Sequence, residues 1–322
     1  MKIFYSDRFV LPLPPDHRFP MAKYALLRER VAASRLGGPH ALQVPPKATD
    51  EELTTVHDHG YVRKVEEGRL TSKEVRRMGF PWSPELAERS RRSVGGTLAA
   101  SRAALEDGVA VNLSGGTHHA FPDRGEGFCV FNDVAVAARV MQGEGLARRV
   151  AILDLDVHQG NGTAAVFRRD PTVFTLSVHG ANNFPFQKEE SDLDVELPDG
   201  TGDAIFLEAV GAGLREALQE FGADFALFLA GADPYEGDRL GRLCVTREGL
   251  AERDHMVMEA CREATAPVAV VMGGGYAPSI DETVEIHLAT VRIAGGFHSG
   301  EGSGRPRTPT SPQGAEPGGS RS

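Results

Sequence analysis

Five short apolar runs in this chain each end in a cluster of glycines and chemically active side chains, and that repetition restricts the fold more than any other feature. Val109–Leu113 leads into Ser114-Gly-Gly-Thr-His118-His119, and Val150–Leu153 into Asp154, Asp156 and His158. Thr172–Leu176 leads into Ser177-Val-His179, Phe225–Leu229 into Ala230-Gly-Ala-Asp233, and Val268–Val271 into Met272-Gly-Gly-Gly-Tyr276. Before, between and after them lie segments with helical character: Met21–Ala33, Pro84–Asp107, Asn132–Met141, Thr163–Arg168, Ala204–Phe221, Thr246–Ala264 and Ser279–Ala294. Lys2–Tyr5 reads as a first strand, and a helix start is expected at Thr49 or Asp50. Strands alternating with helices predict an α/β fold, a single domain with a mainly parallel central sheet flanked by helices. Ligands of such sheets collect outside the carboxyl ends of the strands. Every polar cluster here falls at such an end.

The most informative cluster is D-L-D-V-H at Asp154–His158, read as the end of a strand over Val150–Asp156. Alternate residues of a strand share a face, so Asp154, Asp156 and His158 are expected on one side and Leu155 and Val157 on the other. Charged side chains are rarely buried unless paired or metal-bound. One Asp and one His, completed by an oxygen ligand from elsewhere, suit a catalytic zinc with an open position. Asp233 is a candidate for that ligand, although Asp before Pro234 also suits a helix N-cap. Gly273–Gly275 could cradle a phosphate, but the loop lacks both G-x-G-x-x-G and a P-loop lysine. His179 reads equally as structural or functional. Phe128 and Phe184, taken singly, read as core residues.

Composition narrows the function classes. The 322 residues are 41% hydrophobic, enough for a substantial core. The net charge of -10 argues against direct nucleic-acid binding. No run of 18 apolar residues is present, so no membrane span is expected. The opening MKIFYSDRF lacks the apolar centre of a secretory signal. Cys129, Cys244 and Cys261 lie far apart with no CxxC, which fits a reducing compartment and excludes a cysteine-based zinc site. A cytoplasmic location is therefore expected, with the oligomeric state open. From about Gly295 the sequence becomes rich in Gly, Pro and Ser, so we place a folded domain over 1–295 and a disordered tail over 296–322.

At its motifs the chain resembles the histone deacetylase superfamily of zinc-dependent deacylases. The matching stretches are Gly115–Asp133, Asp154–Thr163, Leu176–Phe186, Gly231–Gly241 and Gly273–Tyr276. The opening His17–Glu29 looks most like the class IV-type branch and its bacterial relatives. The resemblance implies the arginase-like α/β fold and hydrolysis of an N-acyl amide, most simply acetyl-lysine in a peptide or protein. It implies zinc on Asp156, His158 and Asp233, and ferrous iron suits the same donors. His119 would be the general base and then acid, and His118, oriented by Asp154, would tune charge and position. Tyr276 would donate to the developing oxyanion. Phe128 and Phe184 would wall a narrow channel with Leu240 at its edge, and the Gly127 carbonyl would accept the substrate amide N–H. A monovalent cation, usually potassium, would be held by Asp154, Ser177 and the backbone carbonyls of Asp156, His158 and Val178.

Two positions depart from the commoner pattern. Asn161 stands behind the second histidine where many relatives have Asp, so it can orient His119 but cannot stabilise its imidazolium by charge. Thr117 replaces an aromatic residue before the histidine pair, which alters the pocket beneath the metal. Three alternatives differ in class. An acetylpolyamine or other small-molecule amidohydrolase would use the same scaffold, and a net acidic surface would suit its cationic substrates. A two-metal ureohydrolase would need D-x-D-x-x-D, where this chain has His158, Gln159 and Gly160. A catalytically silent acyl-lysine-binding scaffold would not need the acid–base residues that are present.

Overall fold

Each apolar run becomes a strand because its side chains can be buried on both faces of one sheet. The computed structural model describes residues 1–298. Its strands are β1 (Ile3–Phe4), β2 (Leu42–Gln43), β3 (Val109–Asn112), β4 (Val150–Asp154), β5 (Val173–Gly180), β6 (Leu193–Leu197), β7 (Phe225–Ala230) and β8 (Val268–Met272). They form one sheet in the order β2-β1-β3-β8-β7-β4-β5-β6, and every pair is parallel. The mainly parallel expectation is thus met in full.

The period of two sorts side chains into two cores. On β4, Ala151 and Leu153 face one core and Val150 and Ile152 the other. On β7, Ala226, Phe228 and Ala230 oppose Phe225, Leu227 and Leu229 in the same way. Both faces are covered by helices, as an all-parallel sheet requires. The helices are α1 (Ala22–Ser34), α2 (Asp50–Leu53), α3 (His59–Glu66), α4 (Ser72–Met78), α5 (Pro84–Asp107), α6 (Asp133–Gly143), α7 (Asn161–Phe167), α8 (Asp203–Leu214), α9 (Arg247–Glu263) and α10 (Ile280–Gly296). A π-helical turn, Arg215–Glu220, continues α8. Their starts follow local chemistry. Ser83 caps α5 by accepting from the Leu86 N–H, with Pro84 in the first turn. Thr49 and Glu52, and likewise Thr71 and Glu74, form reciprocal capping boxes at α2 and α4.

The structure differs from the sequence reading in several places. β4 ends at Asp154, two residues before the expected end, and the chain then bends over residues 156–158 while staying tied to both neighbouring strands. The Leu155 N–H donates to the Leu229 carbonyl, and the Val157 carbonyl accepts from the Gly180 N–H. Leu155 and Val157 are fully buried in one core, so the expected alternation survives beyond the ladder. β5 runs over Val173–Gly180 where a strand over Thr172–Val178 is expected, and so takes in His179. The last helix reaches Gly296, and His298 Nε2 lies 2.8 Å from the Met1 amino group. The rest of the expected disordered tail, residues 299–322, lies outside the described residues. No helix among the described residues is long and apolar enough to cross a membrane.

Candidate active site

Consecutive strands β3 and β4 are separated in the sheet by β8 and β7. The loops leaving β3, β4, β7 and β8 therefore converge at one edge, which is where a crevice forms. A cleft of about 940 Å³ opens there, lined among others by His118, His119, Gly127, Phe128, Asp156 and His158. Phe184, Asp233, Leu240 and Tyr276 line it as well. Of the residues expected at the site, Asp154, Asn161, Ser177 and Val178 stand behind this lining.

Asp156, His158 and Asp233 present one ligand atom each within 4.8 Å of one another, and this is the one such group of at least three among the described residues. Asp156 and Asp233 are fully buried. Asp156 Oδ2 accepts from the Gly274 N–H at 2.7 Å, and Asp233 Oδ1 accepts from the Val157 N–H at 3.0 Å. Asp233 Oδ2 has no hydrogen-bond partner; His158 Nδ1 is 3.2 Å away but hydrogen-bonds Asp156 Oδ1 at 2.9 Å. Burial and the Asp156 charge push the Asp233 carboxyl up to about 6. Burial works against a charged His158, but its bond to Asp156 and the nearby Asp233 carboxylate outweigh this and raise it to about 10. Two buried carboxylates with an orphaned oxygen are what a cation would relieve. The helix-cap reading of Asp233 fails, because α9 begins only at Arg247.

Gly274 explains its loop. A Cβ there would sit 1.8 Å from Asp233 Oδ2, so only glycine lets the backbone pass and donate to Asp156. The phosphate-cradle reading of Gly273–Gly275 is therefore corrected: this loop supports carboxylates. Tyr276 follows it, half-buried, with its phenol pushed well above the ordinary tyrosine value by burial and by the Asp233 and Asp156 charges. It stays protonated as a donor.

The histidine pair sits at the end of β3 with ring centroids 4.1 Å apart. His118 Nδ1 bonds Asp154 Oδ2 at 2.6 Å. Burial disfavours its charge, but Asp154 and then Asp156 prevail and raise it to about 9. His119 Nδ1 bonds Asn161 Oδ1 at 2.7 Å, and Asn161 Nδ2 donates to Glu126 Oε1 at 3.3 Å. Glu126 thus fixes which end of the Asn161 amide meets His119. His119 must donate from Nδ1, which leaves Nε2 as an acceptor. Burial, then the charges on His118 and His158, hold His119 well below the usual histidine value.

The walls are aromatic. Phe184 meets His119 edge-on at 4.9 Å, and the Phe128 and Tyr276 centroids are 6.4 Å apart. Phe128 has φ 64°, unusual for a bulky residue. It is held there by its N–H to the Met78 carbonyl at the end of α4, at 2.8 Å. At the back of the site, Asp154 and Ser177 are register partners on β4 and β5, with Val178 buried beside them. The Ser177 hydroxyl bonds His179 Nδ1 at 3.0 Å, which gives His179 a structural contact.

Sequence reasoning missed two carboxylates that shape the site. Asp133 accepts from the Gly116 and Thr117 N–H groups and from the Thr97 and Thr117 hydroxyls, fixing the turn before the histidine pair. Thr117 thereby serves as an anchor. Asp238 accepts from the Leu240, Gly241 and Tyr276 N–H groups at 2.8, 2.9 and 2.5 Å. Lys23, buried in α1, was also missed; its ammonium lies 3.3 Å from the Gly273 carbonyl and 5.6 Å from the Tyr276 ring centre. Gln159 points away from the metal-ligand group, bonding Glu189 and Asp194, so it completes no second metal site.

A parallel sheet with a histidine pair beside a carboxylate–imidazole cluster at its carboxyl edge defines an α/β architecture with a candidate active site at that edge. A family model for the histone deacetylase domain matches residues 17–291, and the chain belongs to that family. An uncharacterised protein of Picosynechococcus is 44% identical over 91% of this chain and 97% of its own length. Histone deacetylase 2 of Arabidopsis thaliana is 28% identical, covering 87% of this chain and 75% of that one. The acetoin utilization protein AcuC of Staphylococcus aureus is 29% identical over 84% of this chain and 75% of its own. Among solved structures, a histone deacetylase homologue complexed with SAHA is 26% identical with a TM-score of 0.78, covering 91% of this chain and 83% of that one. A homologue from Aquifex aeolicus shares the fold at a TM-score of 0.78 and 24% identity, over 92% and 84% of the two chains.

Proposed function

We propose that this deacetylase-family protein hydrolyses the side-chain amide of an acyl-lysine, acetyl-lysine in the simplest case, with zinc held by Asp156, His158 and Asp233. The observation that carries the reading is the orphaned, buried Asp233 Oδ2 facing Asp156 and His158, within one cleft with His119 and Tyr276. When bound, the metal supplies a Lewis acid that polarises the amide carbonyl. Ferrous iron fits the same two-carboxylate, one-imidazole set. The SAHA complex of the solved relative supports an acyl-lysine-like ligand in this cleft.

The chain's own residues then divide the work. Phe128 and Phe184 exclude water from the stem of the substrate, and the Gly127 carbonyl receives its amide N–H. His119, neutral and with Nε2 as acceptor, takes a proton from the attacking water and returns it to the departing amine. Asn161 holds the ring in that tautomer. His118, kept charged by Asp154, supplies a fixed positive charge beside it. Tyr276 donates to the oxygen on which charge develops, a contribution of about 3–4 kcal/mol for one well-placed donor. Asp154, Ser177 and the carbonyls near Val178 would hold a potassium ion behind the site.

The test separates ligand from catalyst. Asp156→Asn and His158→Ala should each lose bound zinc by elemental analysis. Tyr276→Phe and His119→Ala should keep zinc while turnover of an acetyl-lysine peptide falls about a hundredfold or more. Full zinc occupancy in Asp156→Asn would reject the ligand set, and unaltered turnover in Tyr276→Phe would point to a binding scaffold instead.

A further inference from the structure

The cleft mouth carries a charge opposite to that of the whole chain. The sequence has 45 acidic against 35 basic residues, yet Arg18, Arg76, Arg77, Arg239 and Arg242 all line this opening. All five side chains are exposed. Arg18 lies in the loop before α1, Arg76 and Arg77 in the last turn of α4, and Arg239 and Arg242 in the loop after β7. Among the described residues, Arg18, Arg76 and Arg77 make no ion pair. Arg239 spends its Nε–H on the Tyr276 carbonyl, which is neutral. Arg242 meets the exposed Asp199 at 3.1 Å, a surface pair that contributes little.

The carboxylates of the lining do not offset this charge. Asp156 and Asp233 lie at the bottom, with the metal ligands. Glu126 accepts from Asn161 and lies 3.7 Å from Arg124. The C-terminus of α4 attracts Arg76 and Arg77 only weakly at so exposed a position. It says nothing of Arg18, Arg239 and Arg242. Like charges around one opening oppose one another, so the fold does not explain their placement; an anionic visitor does.

We propose, resting on the acyl-lysine reading above, that the substrate presents its acylated lysine within an acidic peptide segment, whose Asp and Glu side chains meet these arginines. The cations stand at the rim, on three separate segments, and not beside the metal ligands. They therefore suit charges that flank the inserted stem, and guanidinium groups match carboxylates in bidentate geometry. Phe186, 86% exposed at the same rim, offers an apolar face to the neighbouring peptide. An acetylated polyamine would bring cations to this arginine rim, contrary to what overall net charge suggests.

The experiment compares acetyl-lysine peptides flanked by Glu, by Ser or by Lys, with acetylspermidine alongside, using the zinc-loaded full chain at low and high salt. We expect kcat/KM for the Glu-flanked peptide to exceed that of the Lys-flanked one by about tenfold at low salt. The difference should shrink severalfold in about 0.5 M salt. In Arg76→Gln/Arg77→Gln, and further in a triple variant with Arg18→Gln, the ratio of Glu- to Ser-flanked rates should fall towards one. Equal rates for Glu and Lys peptides, or an undiminished ratio in the triple variant, would each overturn the inference while leaving the acyl-lysine reading intact, whereas faster acetylspermidine turnover would overturn both. If no substrate turns over, that reading fails, and fluorescence anisotropy with the same labelled peptides decides the charge question alone. Tighter binding of the Glu peptide, lost in the triple variant, would sustain it, and equal binding would overturn it.

Discussion

Asn161 sets a neutral amide against the His119 ring. Its oxygen faces His119 at 2.7 Å and its amide nitrogen faces Glu126 at 3.3 Å, so a neutral group stands between an imidazole and a carboxylate. Replacing it by Asp places a negative charge directly on the ring. Opposite charge at contact distance favours the protonated imidazole. Asn161→Asp should therefore move the acid limb of kcat/KM upward by about one pH unit, read from a pH–rate profile of the zinc enzyme. An unmoved limb would mean that another group governs it. At this scale the site was legible where residue type alone announces chemistry: His118, His119, Asp154, Asp156, His158 and Tyr276 stand out in the sequence. Asp133 and Asp238 were not legible, because their partners are mostly backbone N–H groups that only folding brings to them.

At the scale of elements, short pieces carry much of the positioning. α4 has seven residues, too short to be stable alone, and is fixed by the Thr71–Glu74 box and a Lys64–Glu74 bond. Its end anchors Phe128. Neither α3 nor α4 was read from the sequence, since helices this short show little periodicity and depend on caps and tertiary contacts. β6 was also missed: its Leu-Asp-Val-Glu-Leu alternation is diluted by the acidic residues of a sheet edge. The long buried strands were legible because both of their faces are apolar. His57, between α2 and α3, gives this layer a pH dependence. Its Nδ1–H donates to the Phe121 carbonyl, and Nε2 accepts from the Asn132 N–H, so the buried ring is locked neutral. Burial lowers it to about 4. The unfolded chain, with an ordinary histidine near 6.5, binds the proton more readily. The stabilisation is thus complete above pH 6.5 and is lost as pH falls towards 4, amounting to about 3 kcal/mol. Urea midpoints should drop between pH 7 and 5, and His57→Asn should flatten that drop; an equal drop in the variant would assign it elsewhere.

Across the whole molecule, the sheet divides the interior into two cores that meet the site from opposite faces. Phe228 is fully buried on β7, with the Arg253 guanidinium 5.6 Å from its ring centre. Arg253 in turn donates to the Gly231 and Leu155 carbonyls, joining the loops that carry Asp233 and Asp156. Phe228→Ala should cost about 3–5 kcal/mol by urea unfolding and weaken zinc retention; a loss below about 1 kcal/mol would contradict the packing described. One carboxylate has a consequence for how such a protein can diversify. Asp238 accepts from the Leu240 N–H with Oδ1 and from the Tyr276 N–H with Oδ2, so one carboxylate ties these two backbone segments together. On the function proposed above, breadth of substrate and speed of reaction are therefore tied to a single side chain. A lineage, or an engineer, that opens the channel by moving the Leu240 loop displaces the tyrosine with it, so variants selected for bulkier acyl-lysine substrates will start out slow.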